Sequence, residues 1–364
     1  MYNVNKPFSF HMELTDKCNA RCVQCERNFI DKNGVLNERP QLLKKEISIE
    51  QFKKIFENYK WQTYNLTFCG NFGDPLFAKD IFDITQYSYE KVLSQGSGIQ
   101  INTNGGYKSK EWWAEYGKLL KNRKHTVVFA IDGLEDTNHL YRVNTRFDRI
   151  IENAQAFIDA GGDARWSFIR FGHNQHQEEE ARQMAKKMGF KQFETSNTQR
   201  FHKKESIKYK WLDKEYEITR YNPSILKSLD PIQKKAIQTN KMLQKNSKNY
   251  LKDKEKWRQE TAMEITCYTE QKNDLYIDAK GYVYPCCWIG TYEYEKMANI
   301  EDPWNPQIDG RVLNSCFDKD FREILKEDWW EYQLPQSWDN DPCHICARHC
   351  GKNVIKTIRN VEST

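Results

Sequence analysis

Three cysteines lie close together near the start of the chain, directly after the apolar segment 8–14. Cys18, Cys22 and Cys25 form a Cys-x3-Cys-x2-Cys run. Three thiolates on one loop can each hold one iron of a cubane iron–sulfur cluster, which leaves the fourth iron without a protein ligand and open to a small molecule. A zinc site is the alternative, because Cys-x2-Cys pairs often bind zinc, although no obvious fourth ligand follows Cys25.

Length and composition favour a folded chain with more than one domain. The chain has 364 residues, of which 38% are hydrophobic and 13% aromatic, enough for a full core. Its 56 Lys plus Arg against 51 Asp plus Glu give a net charge of +5, too small to predict nucleic-acid binding. The sequence shows neither a signal peptide nor an apolar run near the roughly 18 residues of a membrane span. Eleven cysteines without a secretory signal indicate the reducing cytoplasm, where thiols bind metals rather than form disulfides.

Strand-like and helical segments alternate over the first 200 residues, which predicts parallel βαβ units. The predicted strands are residues 8–14, 65–69, 98–103, 126–131, 165–171 and 192–195. The predicted helices are a helix from about residue 48, then 81–94, 109–120, 147–160 and 177–188. Ser48 and Gln51 predict a capping box for the first of these helices. The predicted fold class is therefore α/β, and six units are two fewer than those of a complete eight-fold barrel.

Polar motifs follow the predicted strands, at the barrel end where active sites gather. Residues 70–75, 102–105 and 130–133 follow the second, third and fourth strands, and His173 and His176 follow the fifth. Gly, Asn, Asp and Pro also cluster in ordinary turns, but their order behind the cysteine run favours a functional role. The two histidines can exchange protons near neutral pH, with helix capping as the alternative.

A second group of cysteines occupies the C-terminal region. Residues 274–285 alternate around a turn, so the sequence predicts a hairpin that brings Cys267 and Cys286 together. A distant Cys-x2-Cys completes a set of four, with Cys350 as an alternative to Cys346. The predicted ligands are Cys267, Cys286, Cys343 and Cys346. A zinc ribbon is the rival for this region alone, and we interpret Cys69 and Cys316 as buried thiols.

Residues 201–262 interrupt the alternation and are rich in Lys, Asn, Gln and Glu. We interpret them as a charged helical segment that bridges two domains and exposes a solvated face. The predicted domains are therefore a barrel at 1–200, the bridging segment at 201–262 and a small α+β cluster-binding domain at 263–364.

The cysteine run, the strand-end motifs and the six-unit alternation resemble radical S-adenosylmethionine (SAM) enzymes. The resemblance implies a partial (β/α)6 barrel in which Cys18, Cys22 and Cys25 hold a [4Fe–4S] cluster. It implies that SAM binds the open iron through its amino and carboxylate groups. The cluster then passes an electron to the SAM sulfonium, and the resulting 5′-deoxyadenosyl radical abstracts a hydrogen atom from the substrate.

The segment after the second strand resembles the family's Gly-Gly-Glu-Pro motif, which meets the SAM ammonium. This resemblance implies that Gly73 and Asp74 bind SAM. Phe72 replaces the first glycine of the motif and Asp74 replaces the glutamate. Either the shorter carboxylate contacts the ammonium, or backbone carbonyls do so.

The next two strand ends resemble further SAM-binding motifs. Asn102 and Asn104 lie in a turn similar to the Thr-Asn-Gly turn near the SAM ribose. Asp132 belongs to a segment that resembles Ser-x-Asp-Gly, although Ala130 replaces the serine. Arg142 stands where many relatives pair an arginine with the SAM carboxylate, and a guanidinium suits that role because it donates two parallel hydrogen bonds.

The C-terminal region resembles the twitch and SPASM domains of radical SAM enzymes. The full SPASM pattern of seven cysteines is not matched, whereas the twitch pattern needs four ligands for one further [4Fe–4S] cluster, which makes two clusters in all. In sulfatase-maturating relatives an Asp base follows the second ligand. Cys287 takes that position here, which makes it a candidate hydrogen-atom donor, with an inert packed thiol as the alternative.

The resemblance implies a cytoplasmic radical SAM oxidoreductase of the twitch or SPASM class that acts on a peptide or a small molecule. It implies flavodoxin or ferredoxin as reductant and electron transfer at the second cluster. Because the cysteine run begins at residue 18, we expect leader-peptide binding to need a separate partner. A zinc-dependent binding protein and a non-catalytic iron–sulfur electron carrier are the rivals, but neither explains the strand-end motifs.

Overall fold

The structure is a computed structural model that describes residues 2–40, 42–198, 200–201, 204–222, 265–296, 315–340 and 344–351. Contacts between backbone positions divide the chain into two units. The first unit comprises Ser9–Asn222 with Ile277–Gly281, and the second comprises Met1–Phe8, Pro223–Tyr276 and Tyr282–Thr364.

The first unit is built on a mostly parallel sheet. Its strands are β1 (Phe8–Met12), β2 (Asn28–Ile30), β3 (Leu36–Glu38), β4 (Thr63–Phe68), β5 (Leu93–Thr103), β6 (His125–Ala130), β7 (Ala164–Arg170), β8 (Gln192–Asn197), β9 (Ser206–Trp211) and β10 (Lys214–Thr219). Within this unit six of them lie side by side in the order β1-β4-β5-β6-β7-β8. The pairs from β4 to β8 are parallel. The predicted α/β partial barrel of six strands is confirmed.

Helices connect these strands where the sequence predicts them. They are α1 (Ile49–Ile55), α2 (Ile81–Tyr87), α3 (Lys110–Leu120), α4 (Asn138–Tyr141), α5 (Phe147–Asp159) and α6 (Glu178–Met188). The Ser48 and Gln51 side chains form the predicted capping box of α1. α3 and α5 approach closely at Gly117, where a Cβ would lie 2.6 Å from the Phe157 carbonyl oxygen. A larger residue at this position would therefore push the two helices apart.

The two faces of the sheet differ in chemistry. Residues that face the helices are buried and apolar, such as Phe68, Phe129 and Trp166. The opposite face, which we call the polar face, is partly exposed and carries Thr67, Gln100, Asn102, Thr126 and Ser167. Thr67, Gln100 and Thr126 are neighbours across β4, β5 and β6. Bulky branched side chains fill the interior of a complete barrel, so the polar face indicates contact with water or a polar ligand.

Residues 206–219 form a hairpin rather than helices. β9 and β10 pair antiparallel, with Lys208 opposite Glu217 on the outer face. Tyr209 and Ile218 point inward and join the core that packs against the Cys18–Cys25 loop. The helical prediction is wrong here because the Lys-rich composition hides a period-two alternation of apolar and charged residues. The part of the predicted segment at 223–262 lies outside the described residues.

The second unit contains short elements around the C-terminal cysteines. Its strands are β11 (Asp274–Ile277) and β12 (Val283–Tyr284), and its helices are α7 (Tyr268–Lys272), α8 (Cys287–Lys296), α9 (Phe321–Ile324), α10 (Leu334–Asn340) and α11 (His344–Cys350). β11 and β12 are neighbours in the sheet, which confirms the predicted hairpin. Tyr276, Tyr284 and Ile289 form a core with Cys346.

Candidate active site

The Cys18–Cys25 loop is held in place by hydrogen bonds from its backbone. The Arg21 amide donates to the Val143 carbonyl oxygen at 2.8 Å. The Asn28 side-chain amide donates to the Cys22 carbonyl oxygen at 3.0 Å. The loop is therefore shaped by the surrounding protein as well as by any metal.

One cavity joins the cysteine loop to the ends of β4, β5 and β6. It contains about 540 Å³ of empty space, which includes its opening to solvent. Of the residues predicted to bind the cluster or SAM, its walls include Cys18, Cys22, Cys25, Gly73, Asp74, Asn102, Asn104 and Arg142. Asp132 is absent from this wall and lies fully buried behind Arg142.

Polar hydrogens lie close to the sulfur atoms of this loop. The Asn104 side-chain amide lies 3.5 Å from Cys18 Sγ, and the Ala20 backbone amide lies 3.4 Å from the same sulfur. Arg142 Nη1 lies 3.6 Å from Cys22 Sγ. Donors of this kind stabilise negative charge on a thiolate, and hydrogen bonds to cluster sulfurs help to set the reduction potential.

The Cys18 and Cys25 thiols resist ionisation as long as no metal binds them. Burial raises the pKa of Cys25 to about 11, and the neighbouring Cys22 adds to this shift. Burial also raises the pKa of Cys18, with a further contribution from the Asp74 charge. Metal binding needs thiolates, so loading of this loop should release protons.

Glu13 supports the turn after β4 from inside the protein. Its Oε1 accepts hydrogen bonds from the Phe72 amide at 2.5 Å and the Gly73 amide at 2.7 Å. Gly73 also packs tightly, because a Cβ there would lie 1.8 Å from the Thr15 carbonyl oxygen. Sequence reasoning missed Glu13, although a carboxylate within an apolar strand segment was the available signal.

The Asp74 carboxylate joins the ends of β4 and β5. Thr103 Oγ1 lies 2.9 Å from both carboxylate oxygens, and the backbone amides of Asn104 and Leu76 donate at 2.7 and 3.1 Å. These three donors occupy most of the roughly four acceptor sites of a carboxylate. Burial raises the pKa of Asp74, while the hydrogen bonds oppose that shift.

Asp132 positions Arg142. Arg142 Nε donates to Asp132 Oδ2 at 2.6 Å, while the Ile169 amide donates to Asp132 Oδ1 at 2.6 Å. Burial raises the pKa of Asp132, and the Arg142 charge opposes this shift. The pair aims the far end of the guanidinium toward Cys22 and the cavity.

Sequence reasoning also missed two residues of the cavity wall. Cys69, interpreted as a buried thiol, lines the cavity and hydrogen-bonds with the Asn102 side chain. Burial raises the pKa of Cys69 to about 11. Arg27 lines the cavity too, and its guanidinium pairs with Glu38 and donates to the Phe72 carbonyl oxygen.

The two candidate histidines do not line this cavity. His173 stacks on Phe171 with ring centroids 5.0 Å apart. Burial lowers the pKa of His173 to about 4, which makes it neutral at physiological pH. His176 is exposed in the turn before α6.

In the second unit, Cys267 and Cys350 are in direct contact. A hydrogen bond from Cys350 lowers the pKa of Cys267 to about 7. Cys286 lies close enough for its charge to act on Cys350, and it packs in the same core as Cys346. The predicted ligand Cys343 lies outside the described residues.

Two further residues lie beside Cys286. The hydroxyl of Tyr2 donates to the carbonyl oxygen of Pro285 at 2.9 Å. Cys287 begins α8 and is partly buried, and its charge contributes to the raised pKa of Cys286. The proposed role of Cys287 as a hydrogen-atom donor stays a prediction.

No three His, Cys, Asp or Glu side chains in the described parts of the chain are arranged to hold a single metal ion. A cubane cluster makes a different demand, since each thiolate binds a separate iron.

Residues 12–188 match the model of the Radical SAM superfamily. These residues form a radical SAM domain. No curated protein sequence matches it significantly.

Solved structures of radical SAM proteins share its fold. SuiB from Streptococcus suis bound to S-adenosylmethionine is similar over 94% of this chain and 72% of that chain, with a TM-score of 0.51 and 15% identity. SuiB bound to the precursor peptide SuiA is similar over 93% of this chain and 66% of that chain, with a TM-score of 0.50 and 15% identity. Identities this low establish the fold alone.

The match to this superfamily supports SAM-dependent radical chemistry and implies a [4Fe–4S] cluster. The residues present fit these groups, because three thiols, a guanidinium and the glycine-rich turn share one cavity wall. None of the described helices is long and apolar enough to cross a bilayer.

Proposed function

We propose that this protein is a radical SAM oxidoreductase of the twitch or SPASM class that modifies a peptide and carries a second [4Fe–4S] cluster. When bound, the first cluster and SAM supply a 5′-deoxyadenosyl radical that abstracts a substrate hydrogen atom. The observation that carries this proposal is the cavity in which Cys18, Cys22 and Cys25 face Arg142 and the turn after β4.

In this proposal Arg142 binds the SAM carboxylate. Its Nε is engaged by Asp132, so the remaining edge of the guanidinium is available for a planar anion. Burial of Asp132 keeps the pair dry and fixes the orientation of Arg142. Asp132 is therefore a positioning residue rather than a SAM contact.

The backbone carbonyls of residues 70–73 bind the SAM ammonium in this proposal. Asp74 is already engaged by Thr103, Asn104 and Leu76, which favours the carbonyl alternative over a direct carboxylate contact. Glu13 and Asp74 then act by fixing the turn. Asn102 and Asn104 line the same cavity and serve the ribose.

A peptide is the substrate class that we favour over a small metabolite. The fold is shared with SuiB, whose structure with the precursor peptide SuiA is known. The polar face presents hydroxyl and amide groups at Thr67, Gln100 and Thr126, which suit the hydrogen-bonding groups of a peptide. Flavodoxin or ferredoxin as reductant and a cytoplasmic location stay predictions.

The second cluster would lie at the C-terminal cysteines, where it accepts an electron from the substrate radical or passes one on. The contact of Cys267 with Cys350 and their proximity to Cys286 support this assignment. Net oxidation of the substrate follows from that role.

Anaerobic iron and sulfide analysis, with EPR spectra of the reduced protein before and after SAM addition, tests this proposal. We expect about eight irons per chain, a signal that changes with SAM, and formation of 5′-deoxyadenosine. Zinc without a SAM response would instead indicate a metal-stabilised binding protein. Two clusters without SAM cleavage would indicate an electron carrier.

A further inference from the structure

We infer that Cys267, Cys286, Cys346 and Cys350 are the four ligands of the second cluster, and that Cys343 is not one. This inference rests on the proposed second cluster. It corrects the sequence-based ligand set, which took Cys343 and kept Cys350 as an alternative.

The placement of Cys350 is the first argument. Its side chain hydrogen-bonds with that of Cys267. The Thr266 amide donates to the Cys350 carbonyl oxygen at 2.9 Å, and Ile265 and Gly351 form an antiparallel bridge. These backbone contacts fix the segment before Cys267 against the segment that contains Cys350. The two cysteines are therefore held close together.

The helical register of α11 is the second argument. Cys346 and Cys350 are four residues apart within His344–Cys350. Residues at this spacing lie on one face of a helix, with Cβ atoms about 5–6 Å apart. Cys346 packs in the core that contains Cys286, and the same face brings Cys350 to Cys267. Four cysteine ligands complete a [4Fe–4S] cluster, which leaves no iron for Cys343.

The stack of Trp288 on His349 is the third argument. The two rings lie 4.3 Å apart and nearly parallel. This contact joins α8, which begins directly after Cys286, to the last turn of α11. Two sets of contacts thus join the segment around Cys286 to α11, and a third joins the segment before Cys267 to the end of α11.

The inference is tested in a protein whose first cysteine run is changed to serine at all three positions, so that only the second cluster is counted. In this background we compare Cys350→Ser, Cys343→Ser and the control Cys316→Ser after anaerobic reconstitution. Cys316 is a buried thiol of the same unit. The readouts are iron and sulfide per chain and the Mössbauer spectrum, none of which depends on activity.

We expect about four irons per chain in the background protein, in Cys343→Ser and in Cys316→Ser. In Cys350→Ser we expect loss of at least half of that iron. Loss in Cys343→Ser, with or without loss in Cys350→Ser, would overturn the ligand set. A background protein that binds no iron would instead remove the second cluster from the proposed function.

Alkylation of the holoprotein without substitutions tests the inference if Cys350→Ser does not fold. We expect Cys350 to be protected from iodoacetamide in the loaded protein and modified at least ten times faster after chelation. Mass spectrometry measures the modification rate of Cys350, with Cys316 as the reference. An equal rate for Cys350 before and after chelation would contradict the assignment.

Discussion

The two cysteine groups of this protein are built in different ways. Cys18, Cys22 and Cys25 lie on one short loop, and hydrogen bonds to residues such as Val143 hold that loop against the barrel. Cys267, Cys286 and Cys350 come from separate segments that close over long sequence distances. A metal at the first group uses a loop that the protein already shapes. A metal at the second group would itself join distant segments, so its binding energy contributes to folding.

The largest expected effect is the loss of activity when a cysteine of the first group is replaced. We predict that Cys22→Ser abolishes 5′-deoxyadenosine formation and lowers the iron content by about half, because a cluster with one ligand missing is not retained in its active form. Circular dichroism and the unfolding temperature should change little, since the loop has its own hydrogen bonds.

Cys316→Ser is the matched control for this variant. It removes a buried thiol and should leave both the iron content and the 5′-deoxyadenosine yield unchanged. Unfolding of Cys22→Ser at room temperature would break the comparison, because the first loop would then depend on its metal.

Removal of both clusters should affect the two units unequally. We predict that chelation abolishes amide hydrogen-exchange protection at β11, β12 and α11 but leaves the strands β4–β7 protected. The physical reason is that the unfolded chain has no such site, so the free energy of metal binding stabilises only the folded unit. Exchange measured by mass spectrometry on the loaded and chelated protein locates the change. Equal loss of protection in both units would contradict the distinction.

A smaller effect is expected behind the first site. We predict that Asp132→Asn raises the KM for SAM about tenfold with little change in kcat, because hydrogen bonds to charged groups contribute about 1.5–3 kcal/mol and part of this is lost. Arg142 would lose the charge that orients it. Steady-state assays of 5′-deoxyadenosine formation at varied SAM concentration provide the measurement.

Asp148→Asn is the control, because Asp148 pairs with Arg146 on the exposed surface. Exposed pairs contribute little, so its KM should match that of the unaltered protein. If Asp132→Asn lowered kcat and left KM unchanged, Asp132 would not position a SAM contact.

The same contrast explains how much the sequence could predict. The first ligand set, the six strands and the capping box of Ser48 depend on short-range patterns, which a sequence displays directly. The engagement of Asp74 by Thr103 and the contact of Cys350 with Cys267 depend on residues brought together by the fold. The hairpin at 206–219 was missed because its alternation lies within a Lys-rich stretch.

The smallest effect concerns the first unit alone and is independent of metal. His173 is partly buried, and its ring nitrogens have no hydrogen-bond partner. Burial lowers its pKa to about 4 from an ordinary value near 6.5. Protonation is therefore harder in the folded state than in the unfolded state, and the stability contributed by the neutral ring is lost as pH falls from about 6.5 to about 4.

We predict that His173→Phe reduces the fall in unfolding temperature over this pH range by about 3 °C. The substitution keeps an aromatic ring on Phe171 and removes the proton-binding site. His11 also contributes to the fall in unfolding temperature, because burial lowers its pKa to about 4 as well. Part of that fall should therefore persist in His173→Phe. An unchanged slope in His173→Phe would show that the ring is protonated equally in both states, and the acid sensitivity of this unit would then rest on other buried groups.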